Sequence, residues 1–253
     1  MIRVILNGCN GRMGRVITEL CNNEADMEIV AGVDLYDGIA NAYPVFPHIG
    51  ECGIPADVII DFSNAAAIDE LLAYCEVTHV PVVLCTTGLS EEQLERMEKL
   101  SKSSAVLKSA NMSLGINALM ELLKKAALVF APAGFDMEII EKHHNQKLDA
   151  PSGTALALAD SMNDALDQAY EYTYDRSNVR QKRNPKEIGI SAVRGGTIVG
   201  EHTVLFAGQD EVIEFKHTAY SRAVFAKGAV EAAKFLAGKP AGRYDMADVI
   251  LAK

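Results

Sequence analysis

The chain has 253 residues, 49% hydrophobic and 23% charged, with a formal net charge of −10. That is an ordinary globular composition, long enough for one large domain or two modest ones, and its acidity argues against nucleic acid or an anionic membrane as partner. No apolar run approaches a membrane span, no secretory signal is expected, and the five cysteines form no C-x-x-C pair, which reads as reduced thiols in a cytoplasmic protein.

Met1–Leu6 predicts a strand. It opens into Gly8-Cys9-Asn10-Gly11-Arg12-Met13-Gly14, and Arg15–Cys21 predicts a helix. Strand, glycine-rich turn and helix start together suit a pyrophosphate, because glycines admit the phosphates close to the backbone and the helix start favours their charge. The spacing is G-x-x-G-x-x-G, with Asn10 where the usual middle glycine stands. Glu28–Val33 predicts a second strand, and Asp34 at its end is placed to accept ribose hydroxyls of an adenosine. Taken alone, Asp34 would be an ordinary strand-ending turn residue.

Further strands are expected at Asp57–Phe62, Pro81–Cys85 and Ser104–Lys108, with helices at Ala65–Glu76 and from Ser90 to about Lys102. Ser90 and Gln93 have the spacing of a capping box. Apolar strands alternating with helices mean a parallel sheet covered on both faces, with ligands beyond the strand C-termini. Asn10, Asp34, Phe62-Ser63, Thr86-Thr87 and Ala110-Asn111 fall there.

After residue 111 the pattern changes. Leu114–Phe130 predicts a helix, Phe135–His143 a strand and Ala155–Ala169 a second helix. A polar stretch, Glu171–Pro185, precedes strands at Ile188–Val193, Ile198–Phe206 and Val212–His217, and Ser221–Ala237 predicts a closing helix. This is an α+β pattern with an antiparallel or mixed sheet. The expected division is 1–111 with 220–253 as the dinucleotide-binding domain, and 112–219 as a second domain. Arg194-Gly195-Gly196 reads as a hairpin turn. His202 and His217 read as packing or surface histidines.

The segment Glu141–Ala155 carries the chemistry. It holds His143, His144 and Lys147, then turns through Asp149-Ala150-Pro151-Ser152-Gly153-Thr154 into a helix. Histidine titrates near neutrality, lysine holds a carboxylate or donates a proton, and a helix start binds anions. Proton transfer beside an anion site follows; a capped surface turn is the bland alternative. Metal is not expected, because adjacent histidines on an extended chain point to opposite sides.

These motifs resemble the dihydrodipicolinate reductase family over essentially the whole chain. The resemblance rests on Gly8–Gly14, Cys85-Thr86-Thr87-Gly88, Ala110–Asn117, and above all Glu141–Ala155, which is similar to E-x-H-H-x-x-K-x-D-A-P-S-G-T-A. It extends through Arg194-Gly195-Gly196, Gly200-Glu201-His202, Ser221-Arg222 and Tyr244–Val249. The resemblance implies a Rossmann-type domain plus a mixed-sheet substrate and tetramerisation domain, in a homotetramer. It implies hydride transfer from NADH or NADPH to a cyclic dicarboxylate, yielding tetrahydrodipicolinate.

By the same resemblance His143 exchanges the proton, Lys147 is a proton donor, and His144, Ser152, Gly153 and Thr154 bind substrate. Gly8, Asn10, Gly11, Arg12, Met13, Asp34, Cys85, Thr86, Thr87, Ala110, Asn111 and Met112 are the expected cofactor contacts. Two positions depart from the family: Cys85 replaces a common glycine, and Leu35 follows Asp34 where NADPH-binding members can carry arginine. NADH is therefore expected to serve at least as well as NADPH. The competing readings are another amino-acid-pathway dehydrogenase, which has no need of the His-His-Lys…Ser-Gly-Thr run, and a non-catalytic dinucleotide sensor, which has no use for His143 and Lys147.

Overall fold

In chain order, the computed structural model, which describes residues 1–252, contains β1 (Ile2–Asn7), α1 (Arg12–Asn22), β2 (Met27–Val33), β3 (Val45–Phe46), β4 (Val58–Asp61), α2 (Ile68–Thr78), β5 (Val82–Leu84), α3 (Glu91–Leu100) and β6 (Ala105–Leu107). It continues through α4 (Leu114–Phe130), β7 (Asp136–His143), α5 (Gly153–Ala165), β8 (Glu171–Thr173), β9 (Glu187–Arg194), β10 (Gly200–Ala207) and β11 (Val212–Ala219), and ends in α6 (Ala223–Leu236), β12 (Gly242–Tyr244) and α7 (Met246–Leu251). Two units emerge: Met1–Leu114 with the segment from Ala223 onward, and Gly115–Arg222. No helix among the described residues is long and apolar enough to cross a membrane.

The first unit is a seven-stranded sheet, ordered β12-β6-β5-β4-β1-β2-β3, with parallel pairing throughout. Successive strand residues point to opposite faces. Val4, Leu6, Val58, Ile60, Val83 and Leu107 therefore pack with α1, α6 and α7 on one face. Ile5, Ile59, Val82, Leu84 and Val106 pack with α2 and α3 on the other. This double burial explains why the strands read as unbroken apolar runs rather than as alternating ones. The order reverses at β1, which lies between β4 and β2, so the crevice for a ligand opens beyond their C-terminal ends. The capping box forms: Gln93 N–H donates to Ser90 Oγ (3.2 Å), and Ser90 N–H to Gln93 Oε1 (3.1 Å).

The second unit is a mixed five-stranded sheet ordered β11-β10-β7-β9-β8. Met137, Ile139, Ile188, Ile190, Val204 and Phe206 form its apolar face, which packs with Leu119 and Leu123 of α4 and Leu158 and Met162 of α5. Glu138, Ile140 and Lys142 alternate with these on β7 and point to the other face.

Several expectations are corrected. The Arg194-Gly195-Gly196 turn is not a hairpin: β7 lies between β9 and β10, and the turn packs on the end of β7, where Gly195 N–H donates to the His143 carbonyl (2.9 Å). Helix α5 ends at Ala165, not Ala169, because Asp167 and Gln168 adopt left-handed backbone, and Tyr170 exchanges two hydrogen bonds with the Asn163 side chain. Strands β3, β8 and β12 and helix α7 were not anticipated. Each strand is two or three residues long, too short for any periodicity to show.

Candidate functional site

The glycine turn of the first unit is a cradle. Gly8 has φ +80° and lies so close to the Phe62 carbonyl that a Cβ would come within 2.5 Å of its oxygen; at Gly14 a Cβ would come within 2.2 Å of the Gly8 carbonyl. Only glycine permits this turn and its contact with α1. Gly11 N-caps α1 without a side-chain hydrogen bond, leaving the helix start open to an anion. Asn10 adds side-chain hydrogen bonds that a glycine in its place would lack. Its N–H donates to Asp34 Oδ2 (2.9 Å), its side-chain amide donates to the Tyr36 carbonyl, and it accepts from Asn41 Nδ2 (2.9 Å). Asp34 Oδ1 accepts from Tyr36 N–H (3.0 Å). Both oxygens thus meet neutral backbone donors, and each keeps acceptor capacity for a hydroxyl.

A cavity of about 500 Å³, well within the range of ligand sites, is lined by Gly8, Gly11, Asp34, Leu35, Phe62 and Ser63 among others. Of the other expected cofactor residues, Arg12 is exposed at the first turn of α1 and Met13 packs on the core cluster. Cys85, Thr86 and Thr87 follow β5; Ala110, Asn111 and Met112 follow β6, with Met112 buried. These six do not line the cavity. Burial pushes the Cys85 thiol well above its ordinary value, so it is a neutral thiol.

Sequence reasoning missed Asp61 and Lys108. Asp61, at the end of β4, is fully buried; its Oδ1 accepts from Asn7 Nδ2 (2.8 Å) and Ser63 Oγ (2.6 Å). Burial raises this carboxyl above its ordinary value despite those donors. Lys108, after β6, donates to the Thr86 carbonyl (2.8 Å), and burial lowers its ammonium. The available signal was a charged residue closing each of two apolar strands.

In the second unit the alternation of β7 turns Glu141 and His143 to the same buried side and leaves His144 half-buried just beyond the strand. Glu141 is fully buried and meets four donors. Oε1 accepts from Ser152 N–H (2.9 Å) and Arg194 Nη2 (2.7 Å); Oε2 faces His143 Nδ1 (2.6 Å) and Arg194 Nη1 (2.8 Å). Burial alone would raise the Glu141 carboxyl, but the hydrogen bonds from Arg194, His143 and Ser152 outweigh it and hold it below the usual carboxylate range.

Ser152 N-caps α5, accepting from Ala155 N–H (3.2 Å), and its hydroxyl lies 3.0 Å from His202 Nε2. His202 stands edge-on to His143 at 5.2 Å, and burial first, then the neighbouring His143, lowers it to about 4. His202 is therefore neutral at ordinary pH and belongs to this cluster rather than to general packing. Lys147 Nζ donates to Asp149 Oδ1 (2.8 Å), which lowers the Asp149 carboxyl; Gly153 N–H lowers it further. Thus Lys147 and the start of α5 already share one carboxylate. Gly153 is exposed and Thr154 half-buried in the first turn. Glu141 and Arg194 were also missed as partners, because 53 residues separate them along the chain.

Residues 2–112 match the family described as dihydrodipicolinate reductase, N-terminus, and residues 115–250 match its C-terminus. The chain is 49% identical over 253 residues to a 4-hydroxy-tetrahydrodipicolinate reductase of Clostridium novyi, with all of both chains covered. It is 52% identical to the enzyme of that name from Caldanaerobacter subterraneus, over 99% of this chain and 98% of the other. A solved dihydrodipicolinate reductase from Paenisporosarcina sp. TG-14, with dipicolinate bound, superposes with a TM-score of 0.81 at 26% identity, covering 97% of each chain.

Proposed function

This chain belongs to the dihydrodipicolinate reductase family, and on that premise we propose how its residues divide the work. It is a nicotinamide-dinucleotide-dependent oxidoreductase of lysine and diaminopimelate biosynthesis that reduces 4-hydroxy-tetrahydrodipicolinate, or its dehydrated form, to tetrahydrodipicolinate. The cavity, the glycine cradle and the accepting Asp34 fit a dinucleotide in the first unit. When bound, that cofactor supplies the hydride.

In this reading Gly8, Asn10, Gly11, Arg12 and Met13 hold the pyrophosphate at the start of α1, and Asp34 accepts the adenosine ribose hydroxyls. Backbone of Cys85, Thr86, Thr87, Ala110, Asn111 and Met112, beyond β5 and β6, lines the nicotinamide end. NADH serves at least as well as NADPH, because a 2′-phosphate would meet the Asp34 carboxylate, and the adjacent Leu35 offers it no cation.

The second unit supplies protons and holds the dicarboxylate. Reduction of a conjugated imine leaves enamine-like negative charge that needs a proton, which His143 delivers with Lys147 as a further donor. Ser152, Gly153 and Thr154 at the start of α5, with His144, bind a substrate carboxylate, which takes the place that Asp149 holds beside Lys147. The β7–β9–β10 sheet face away from α4 and α5 carries half-buried Ile140 and Leu205 and more exposed Val193, and this face serves a cytoplasmic homotetramer.

The observation that carries this reading is a buried histidine tied through Glu141 and Ser152 to a helix start that already holds a carboxylate beside a lysine. His143→Gln and Lys147→Ala are each expected to lower kcat roughly 10²-fold or more, with NADH affinity by titration near that of the unaltered enzyme. Near-normal turnover in both variants would overturn the assignment.

A further inference from the structure

We propose that Glu141 is a positioning residue that fixes the ring of His143 and keeps a proton on Nδ1, so that Nε2 is the nitrogen that exchanges the proton with substrate. This rests on the reading of His143 as the proton-transfer group.

Glu141 does not act on substrate itself. A carboxylate has about four acceptor positions, and here two donors meet each oxygen: Ser152 N–H and Arg194 Nη2 on Oε1, His143 Nδ1 and Arg194 Nη1 on Oε2. No capacity is left for a ligand. Arg194 keeps the carboxylate ionised despite full burial, and an ionised carboxylate accepts only. The 2.6 Å contact to His143 is therefore a donation from Nδ1–H, which assigns the tautomer and leaves Nε2 as the lone-pair nitrogen. A Cβ at Gly200 would approach His143 Nε2 at 3.2 Å, so the glycine leaves room on that side.

Net stability is a weak reason for this arrangement, although Glu141 also anchors the cap of α5 through Ser152 N–H. β7 and β9 already pair along their length, and a buried ion pair is a poor source of net stability. What the arrangement provides is one ring orientation and one tautomer.

The test begins with ring ¹⁵N NMR on the wild-type enzyme at a pH where His143 is neutral. Its Nδ1 is expected to carry the proton, and Nε2 to give the unprotonated shift. In Glu141→Gln the amide must turn either its NH₂ or its oxygen toward the ring, and the Nε2–H tautomer should become populated. The kcat of that variant is expected to fall about 10²-fold or more, as when the orienting carboxylate of a catalytic histidine is replaced, while the KM for NADH holds within about threefold. Glu141→Asp keeps the charge and should restore the Nδ1–H signature and part of the lost kcat.

A wild-type His143 protonated on Nε2 overturns the inference, whether or not any variant folds. So does a folded Glu141→Gln enzyme with kcat within about threefold of normal. If His143→Gln itself kept its turnover, the proton-transfer reading would fall instead. Loss of turnover in His143→Gln together with the wrong wild-type tautomer sinks only the role of Glu141.

Discussion

Asp61 in the first unit and Glu141 in the second are both fully buried carboxylates on strands of a sheet, yet their environments drive them in opposite directions. Asp61 meets only neutral donors, from Asn7, Ser63 and the Thr86 hydroxyl, and burial raises it despite them. Glu141 meets a bidentate arginine, a histidine and a backbone N–H, and stays below its ordinary value. Equal burial leaves the charge state open; the donors decide it. The contrast extends outward. Asp34 is held by backbone N–H groups alone, whereas Asp149 is paired with Lys147. The first unit thus holds these carboxylates with neutral donors, and the second holds its pair with charged ones.

The largest expected effect comes from His202, which tests whether the cluster around Glu141 keeps its histidine neutral. Its folded value, about 4, lies below the ordinary 6.5. The unfolded chain therefore takes the proton first, and stability is lost as pH falls from about 6.5 to about 4. The integrated loss is about 3 kcal/mol. Urea denaturation of wild type and His202→Gln across that interval should show the variant losing less by roughly this amount. Parallel curves would place the His202 proton elsewhere.

Removing the cation should make Glu141 resemble Asp61. Arg194→Met leaves a buried carboxylate with only His143 and Ser152, at an expected cost of about 2 kcal/mol at pH 7. That deficit should shrink toward pH 5 as the carboxyl, now raised, takes a proton. A deficit independent of pH would show that Arg194 acts through packing alone.

The Asp34 contrast is tested by cofactor choice. Asp34→Ala should shift the ratio of kcat/KM toward NADPH, and Leu35→Arg should improve NADPH selectively through a charge-assisted contact. A wild-type preference for NADPH of tenfold or more, about 1.4 kcal/mol, would contradict the role given to this carboxylate.

The smallest effect is expected at Asp61. Its folded value is raised, so ionisation opposes folding: stability is highest below the unfolded value and falls as pH climbs through the folded one. Asp61→Asn mimics the protonated acid and should change stability by less than about 1 kcal/mol at neutral pH, with a flatter pH dependence. A large loss would mean that Asp61 is ionised and has a partner.

The local chemistry of the chain determined much of this protein. Unbroken apolar strands alternating with helices specify a doubly covered parallel sheet, and Gly8 and Gly14 mark a turn that admits no side chain, because strand burial and backbone sterics act over a few residues. His143, Lys147 and the Ser152 cap stand within ten residues, so their grouping at one turn was legible in the sequence. Tertiary structure decided the rest. Arg194 reaches Glu141 only because β9 runs parallel beside β7, and the same placement of β7 turns an apparent hairpin into a support for the His143 turn. Whether Asp61 and Glu141 are charged depends on donors brought from Asn7 on β1, from Arg194 at the end of β9 and from the cap of α5. Periodicity records which face a residue takes; a carboxylate's charge is set by neighbours that only the folded chain brings to it.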